Sequence, residues 1–118
     1  MTLNGWVKHC HDIAVNKGWW KKPVRRDGEL IALMHSELSE ALEEIRLPGS
    51  GMNPDGWYYG FEPGKTNSTP KGVSIELADC IIRIMDYFGY KGWDMEKILR
   101  AKCDYNEKRP YRHEGKRL

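Results

Sequence analysis

The chain lacks any apolar run approaching the roughly 20 residues of a membrane span, and residues 1–20 lack the basic, apolar and small-residue order of a secretion signal. These two absences predict a cytoplasmic protein with no membrane partner. Cysteine is scarce: Cys10, Cys80 and Cys103 are odd in number, scattered and without a CxxC, which excludes a disulfide framework or a zinc ribbon. Cys80 lies in an apolar stretch and is expected in the core. No internal repeat or low-complexity tract occurs.

What is present fits one globular domain. At 118 residues the chain can build one core, not two, and 40% hydrophobic with 31% charged residues is a globular rather than a disordered composition. The net charge of +2 conceals an uneven distribution. Residues 1–28 hold 6 basic and 2 acidic side chains, residues 29–96 hold 5 and 12, and residues 97–118 hold 8 and 3. An acidic middle with basic ends suits nucleic-acid binding through those ends, or a polyphosphate held by metal on one side and by Lys and Arg on the other.

Periodicity predicts four helices and an all-α helical bundle. The first runs from 3 to about 17, with Trp6, Cys10, Ile13 and Ala14 near one face and Gly18 as its stop. Trp19, Trp20 and Pro23 form a short aromatic connection. Asp27 is the expected N-cap of a second helix reaching Arg46. A long loop covers about 47–71, rich in Gly, Pro, Asn and aromatics. The third helix covers 72–88, stopped by Gly89 and Gly92, and Asp94 caps a fourth that runs to about Lys108 and breaks at Pro110. A basic arm follows at about 109–118. Single-domain organisation over 1–118 is expected.

Four carboxylates stand out. Glu37 and Glu40 lie on the second helix, Glu76 and Asp79 on the third, each pair at i, i+3 and so on one face. At 100° per residue Glu37 falls inside the apolar arc of Leu30, Leu33, Met34 and Ala41, with Glu40 at its edge. The third helix is apolar almost all round except for the stripe Glu76, Asp79, Arg83, Asp86. A helix of this kind belongs at the centre of a bundle, with its polar stripe facing a cavity, a metal or a partner. Two carboxylates about 5 Å apart repel by roughly 3 kcal/mol at an effective dielectric of 20. Their charge must be met by a divalent cation or by an ion-pair network, for example Asp79 with Arg83. Oxygen-only ligands suit magnesium, manganese or calcium rather than zinc, and no ExxH accompanies them, which disfavours a di-iron bundle. Asp86 and Glu44 extend the acidic surface and are read as ion-pair or rim residues. The segment GFEPGKT at 60–66 is one residue short of a P-loop and leads into Asn67, Ser68 and Pro70 rather than a helix, so it is not taken as one.

With Glu37-Leu38-Ser39-Glu40 followed by Glu76-Leu77-Ala78-Asp79, the chain resembles the MazG-like all-α nucleoside triphosphate pyrophosphohydrolases, related to dimeric dUTPases and dCTP pyrophosphatases. The flanks GELIALMHSELSEALEEIR and SIELADCIIRIMDYFG, and Lys102, Asn106 and Arg109 in a K-x3-N ending, carry the resemblance from about Gly18 to Leu118. It departs from the family at Ser36, where many members have a further glutamate, and in a longer connection between Glu40 and Glu76. The resemblance implies cleavage of a nucleoside triphosphate to the monophosphate and pyrophosphate. It implies magnesium, or manganese in its place, on Glu37, Glu40, Glu76 and Asp79, with Glu40 as a candidate general base. Lys102, Asn106 and Arg109 are then candidates for phosphate or sugar contacts. Trp19 and Trp20 are candidates for stacking on the base, or alternatively for packing at a helix end. A homodimer or homotetramer is expected, because so apolar a third helix needs a partner to cover it. Nucleic acid is not expected as a partner on this reading; the competing one is a non-catalytic nucleic-acid-binding or adaptor module that uses the basic termini.

Overall fold

A computed structural model describes residues 1–47, 51–61, 63–64 and 68–111. The described residues form four helices and one small hairpin: α1 (Leu3–Asn16), α2 (Asp27–Arg46), β1 (Tyr58–Gly60), β2 (Thr69–Lys71), α3 (Val73–Lys91) and α4 (Met95–Lys108). The all-α expectation therefore holds, with the hairpin as an addition. No helix among them is long and apolar enough to cross a membrane.

Local chemistry sets the helix ends. Thr2 caps α1 by accepting the Gly5 N–H at 2.9 Å, and Gly18, at φ 86°, turns the chain away at its far end. Asp94 caps α4 by accepting from Lys97 N–H at 3.0 Å. Asn4 ties the starts of α1 and α4 together, donating to Asp94 Oδ1 and Glu96 Oε2 and accepting from the Glu96 N–H. Asp27 is the first residue of α2 rather than its N-cap; the cap is Arg26, which makes no side-chain capping bond. The Asp27 carboxylate accepts instead from Tyr87 Oη at 3.0 Å and Lys91 Nζ, which fastens the start of α2 to the end of α3.

The third helix is longer than its glycines suggest. It passes through Gly89 and ends at Gly92, which is left-handed at φ 71°. Gly89 serves a crossing rather than a stop, since a Cβ there would lie 2.6 Å from the His11 Cβ of α1. At its other end Gly72, at φ 122°, lets the 51–57 loop approach so closely that a Cβ would meet Gly56 O and Trp57 Cα at 2.7 Å.

Helix α3 is central, packed between α1 and α2, while α4 packs mainly against α1. The buried core is Val7, Cys10, Met34, Ala41, Cys80 and Met95. All three cysteines are free; Cys10 and Cys80 are buried and Cys103 is exposed. Inside the segment expected to be a loop, β1 and β2 pair antiparallel with Tyr58 opposite Lys71 and Gly60 opposite Thr69. From this hairpin Tyr58 Oη donates to Glu44 of α2 at 3.1 Å. Glu62, Lys65 and Thr66 of the GFEPGKT segment, and the arm from residue 112 onward, lie outside the described residues.

Candidate functional site

Two helices bring the acidic side chains together. Glu37 projects from the middle of α2 on the face that also buries Met34 and Ala41. Glu76 and Asp79 come from the first two turns of α3. One oxygen of each of Glu37, Glu76 and Asp79 lies within 4.8 Å of the others. Glu37, at 7% exposure, is the one buried charged residue among those described. The structure thus gathers three of the four expected carboxylates tightly. Glu40 stands outside the triad, exposed to solvent and close enough to share a hydrogen bond with Glu76.

Charge compensation is partial. Arg83 Nε donates to Glu37 Oε1 at 2.8 Å, so the arginine of the polar stripe pairs across to α2 instead of bonding Asp79 one turn away. One guanidinium faces four acids. Burial, reinforced by the hydrogen bond with Glu40 and the charges of Glu40, Asp79 and Glu37, pushes the Glu76 carboxyl up to about 7. Burial, followed by the Glu37 charge, raises Asp79 as well. Without a cation the cluster therefore holds a proton near neutrality. With one, the acceptor-only oxygens of Glu37, Glu76 and Asp79 match the preference of a hard divalent ion such as magnesium or manganese.

A cavity of about 280 Å³ opens beside the triad. Cys10, Ile13 and Ala14 of α1 and Ile82 of α3 supply apolar walls; Glu37, Asp79, Arg83 and Asp86 supply the charged ones, and Trp19 closes the rim. The two neighbouring tryptophans separate here. Trp20 is fastened, with Nε1 donating to Asp86 Oδ1 at 2.9 Å and its ring stacked on Tyr90 at 3.9 Å and 7°. Trp19 is 52% exposed at the cavity, with the guanidinium groups of Arg25 and Arg83 5.6 and 5.5 Å from its ring centre.

Lys102 and Asn106 lie on the exposed surface of α4, and Arg109 just beyond its end is half-buried. The Lys102 ammonium and the Arg109 guanidinium both sit over the Tyr105 ring, at 4.9 and 5.7 Å. Since α4 packs mainly against α1, the structure does not gather these three with the carboxylates. Sequence reasoning undervalued Asp86, although its place on the α3 polar stripe was the available signal. Nor does any local pattern reveal the partner of His11, whose Nδ1 lies 2.8 Å from Asp86 Oδ1 across 75 residues of chain. Comparison of the chain with family models, curated proteins and solved structures finds no match.

Proposed function

We propose that this protein is a magnesium-dependent nucleoside triphosphate pyrophosphohydrolase, working as a homodimer or homotetramer in the control or cleansing of the nucleotide pool. One observation carries the reading: three carboxylates from two helices converge within 4.8 Å at the edge of a cavity that also holds an exposed tryptophan. Such a set accepts a hard cation and, through it, phosphate oxygens. Glu37, Glu76 and Asp79 would hold magnesium, which when bound supplies charge neutralisation of the triphosphate and a more acidic water.

The chain's own groups do the remaining work. Glu40, exposed and adjacent to Glu76, takes the proton of the attacking water. Arg83 orients Glu37 by its 2.8 Å bond. Trp19 offers its face to the base at the mouth of the cavity. Lys102, Asn106 and Arg109, which lie apart from the carboxylates within one chain, would contact phosphates across an assembly.

Assembly is supported by shape and surface. The radius of gyration is 17.3 Å, against about 13.5 Å for a compact chain of this length. Among the described residues no large side chain is fully buried, and Leu38 and Leu42 of α2, Leu77 and Ile81 of α3, and Ile98 and Leu99 of α4 are all more than 40% exposed. A second copy covering these faces would complete the core.

The test is pyrophosphate release from a panel of nucleoside triphosphates in magnesium and in EDTA, for the native protein and for Glu37→Gln and Asp79→Asn. Magnesium-dependent release by the native protein, abolished in both variants with helical content retained, is the expected result. Near-native turnover in both variants sinks the site assignment. No release from any triphosphate by folded protein favours the adaptor reading, which predicts magnesium-independent, salt-sensitive oligonucleotide binding through the basic termini.

A further inference from the structure

The cavity beside the triad reaches Asp86, and this carboxylate is arranged unlike the other three. His11 Nδ1, at 2.8 Å, and Trp20 Nε1, at 2.9 Å, both meet Oδ1. A carboxylate only accepts, so His11 carries its proton on Nδ1. Oδ2 takes no hydrogen bond among the described residues, although Asp86 lines the cavity. The stack of Trp20 on Tyr90 and the edge contact of His11 with Trp20, at 5.7 Å between centres, lock both donors in place. A single rigid acceptor oxygen is thereby left for whatever occupies the cavity. Arg83 lines the same cavity; with Nε committed to Glu37, its Nη groups make no hydrogen bond among the described residues.

Spacing relates this acceptor to the acid triad. Asp79 and Asp86 are seven residues apart on α3, two turns along one face and roughly 10 Å. That is the reach from the edge of a base to the α-phosphate of an extended nucleotide. A nucleotide with its phosphates held through a cation at Glu37, Glu76 and Asp79 and its base against Trp19 would bring the base edge toward Asp86 and Arg83, which line the same cavity.

We infer that Asp86 reads the base in this cavity and selects nucleotides whose base has an exocyclic amino group beside a ring-nitrogen acceptor, cytosine or adenine, over oxo bases. This rests on the nucleotide reading given above. The amino group donates to Asp86 Oδ2 and the neighbouring ring nitrogen accepts from Arg83. Uracil and thymine flank their one ring N–H with carbonyls, whose lone pairs oppose a carboxylate. Guanine flanks its amino group with a ring N–H on the outer edge and offers the pair of amino donor and ring-nitrogen acceptor only on the edge next to the sugar, which does not reach Asp86 in this pose.

The test is equilibrium dialysis of the full chain in magnesium against CMP, AMP, UMP and GMP, with native protein and Asp86→Asn. The native protein should bind CMP or AMP about tenfold or more tighter than UMP and GMP, the scale of one charge-assisted hydrogen bond. In Asp86→Asn the amide oxygen must take the His11 and Trp20 donors, which turns its NH₂ toward the ligand. The preference should then move to the oxo bases. Equal binding of all four by the native protein, no binding of any at millimolar concentration, or an unchanged ranking in folded Asp86→Asn overturns the inference. Should the variant fail to fold, the native ranking decides alone. Amino-selective binding without pyrophosphate release would overturn the hydrolase reading and leave this one standing; release without base preference would do the reverse.

Discussion

Replacing Glu76 by Gln should stabilise the metal-free protein at alkaline pH while removing its response to magnesium. The Glu76 carboxyl is raised from 4.5 to about 7, chiefly by burial and then by its acidic neighbours. The folded chain thus holds this proton more tightly than the unfolded chain does. The associated stability is complete below about pH 4.5 and is lost as pH rises through about 7. A shift of that size corresponds to about 3 kcal/mol, and solvent screening of a partly exposed group reduces it to about 1–2 kcal/mol. Asp79, also raised, acts in the same direction. Asp12, Asp27 and Asp94, all lowered by their hydrogen-bond partners, give up stability only as the solution becomes more acidic than this window. Thermal unfolding in EDTA at fixed protein concentration should show the native Tm falling by roughly 4–8 °C between pH 5 and 8. The variant, which keeps only the Asp79 contribution, should fall less across that range and lie above the native protein at pH 8. Magnesium should raise the native Tm at pH 8 and leave the variant unmoved. A native Tm in EDTA that rises with pH, or a variant less stable than the native protein at pH 8, would refute the electrostatic account of the cluster.

Arg83→Met removes the one cation bonded to the buried Glu37 and should cost about 2–3 kcal/mol in EDTA at pH 8; denaturant titration with and without magnesium should show the ion recovering part of the loss. Trp20→Phe preserves the stack on Tyr90 but withdraws a donor from Asp86, and should lower stability by about 1–2 kcal/mol in the same assay. Ile81→Asp on the exposed face of α3 should convert the assembly to monomer in sedimentation velocity with little loss of helical signal, and a native protein that sediments as a monomer would refute the assembly argument.

The helices were legible because their signals are local. Asp94 is a capping residue, Gly18 and Pro110 are stops, and the apolar spacing of α2 and α3 is helical over many turns. The end of α3 was misjudged because a glycine has two uses. Gly89 makes room for His11 of α1, a tertiary reason that leaves the same residue in the sequence as a helix stop. The N-cap of α2 shifted because Tyr87 and Lys91, 60 and 64 residues away, claim the Asp27 carboxylate. The hairpin went unseen because strands of three residues, one holding Pro70, are too short to show alternation. The acidic quartet could be read from i, i+3 spacing. Its division into a tight triad and an outlying Glu40 depends on the packing of α2 against α3. Trp19 and Trp20 were indistinguishable in sequence, and only the position of Asp86 and Tyr90 separates them.

The polar stripe of α3 is one helical face with two electrostatic regimes. At its start, Glu76 and Asp79 face Glu37 and Glu40 with a single guanidinium between them, so negative charge is in excess and a proton or a divalent cation must make up the difference. Two turns later Asp86 receives two donors from α1 and the aromatic connection, so its charge is met within the protein and its geometry is fixed. Arg83 lies between them and touches both the triad and the ring of Trp19. A cation arriving at the triad would compete with Arg83 for Glu37 and weaken the hold on this side chain, which lines the cavity. Occupancy of the triad and the readiness of the cavity to donate hydrogen bonds are on this account linked through one side chain. Magnesium and a base should therefore bind with positive cooperativity in the native protein, and the coupling should vanish in Arg83→Met.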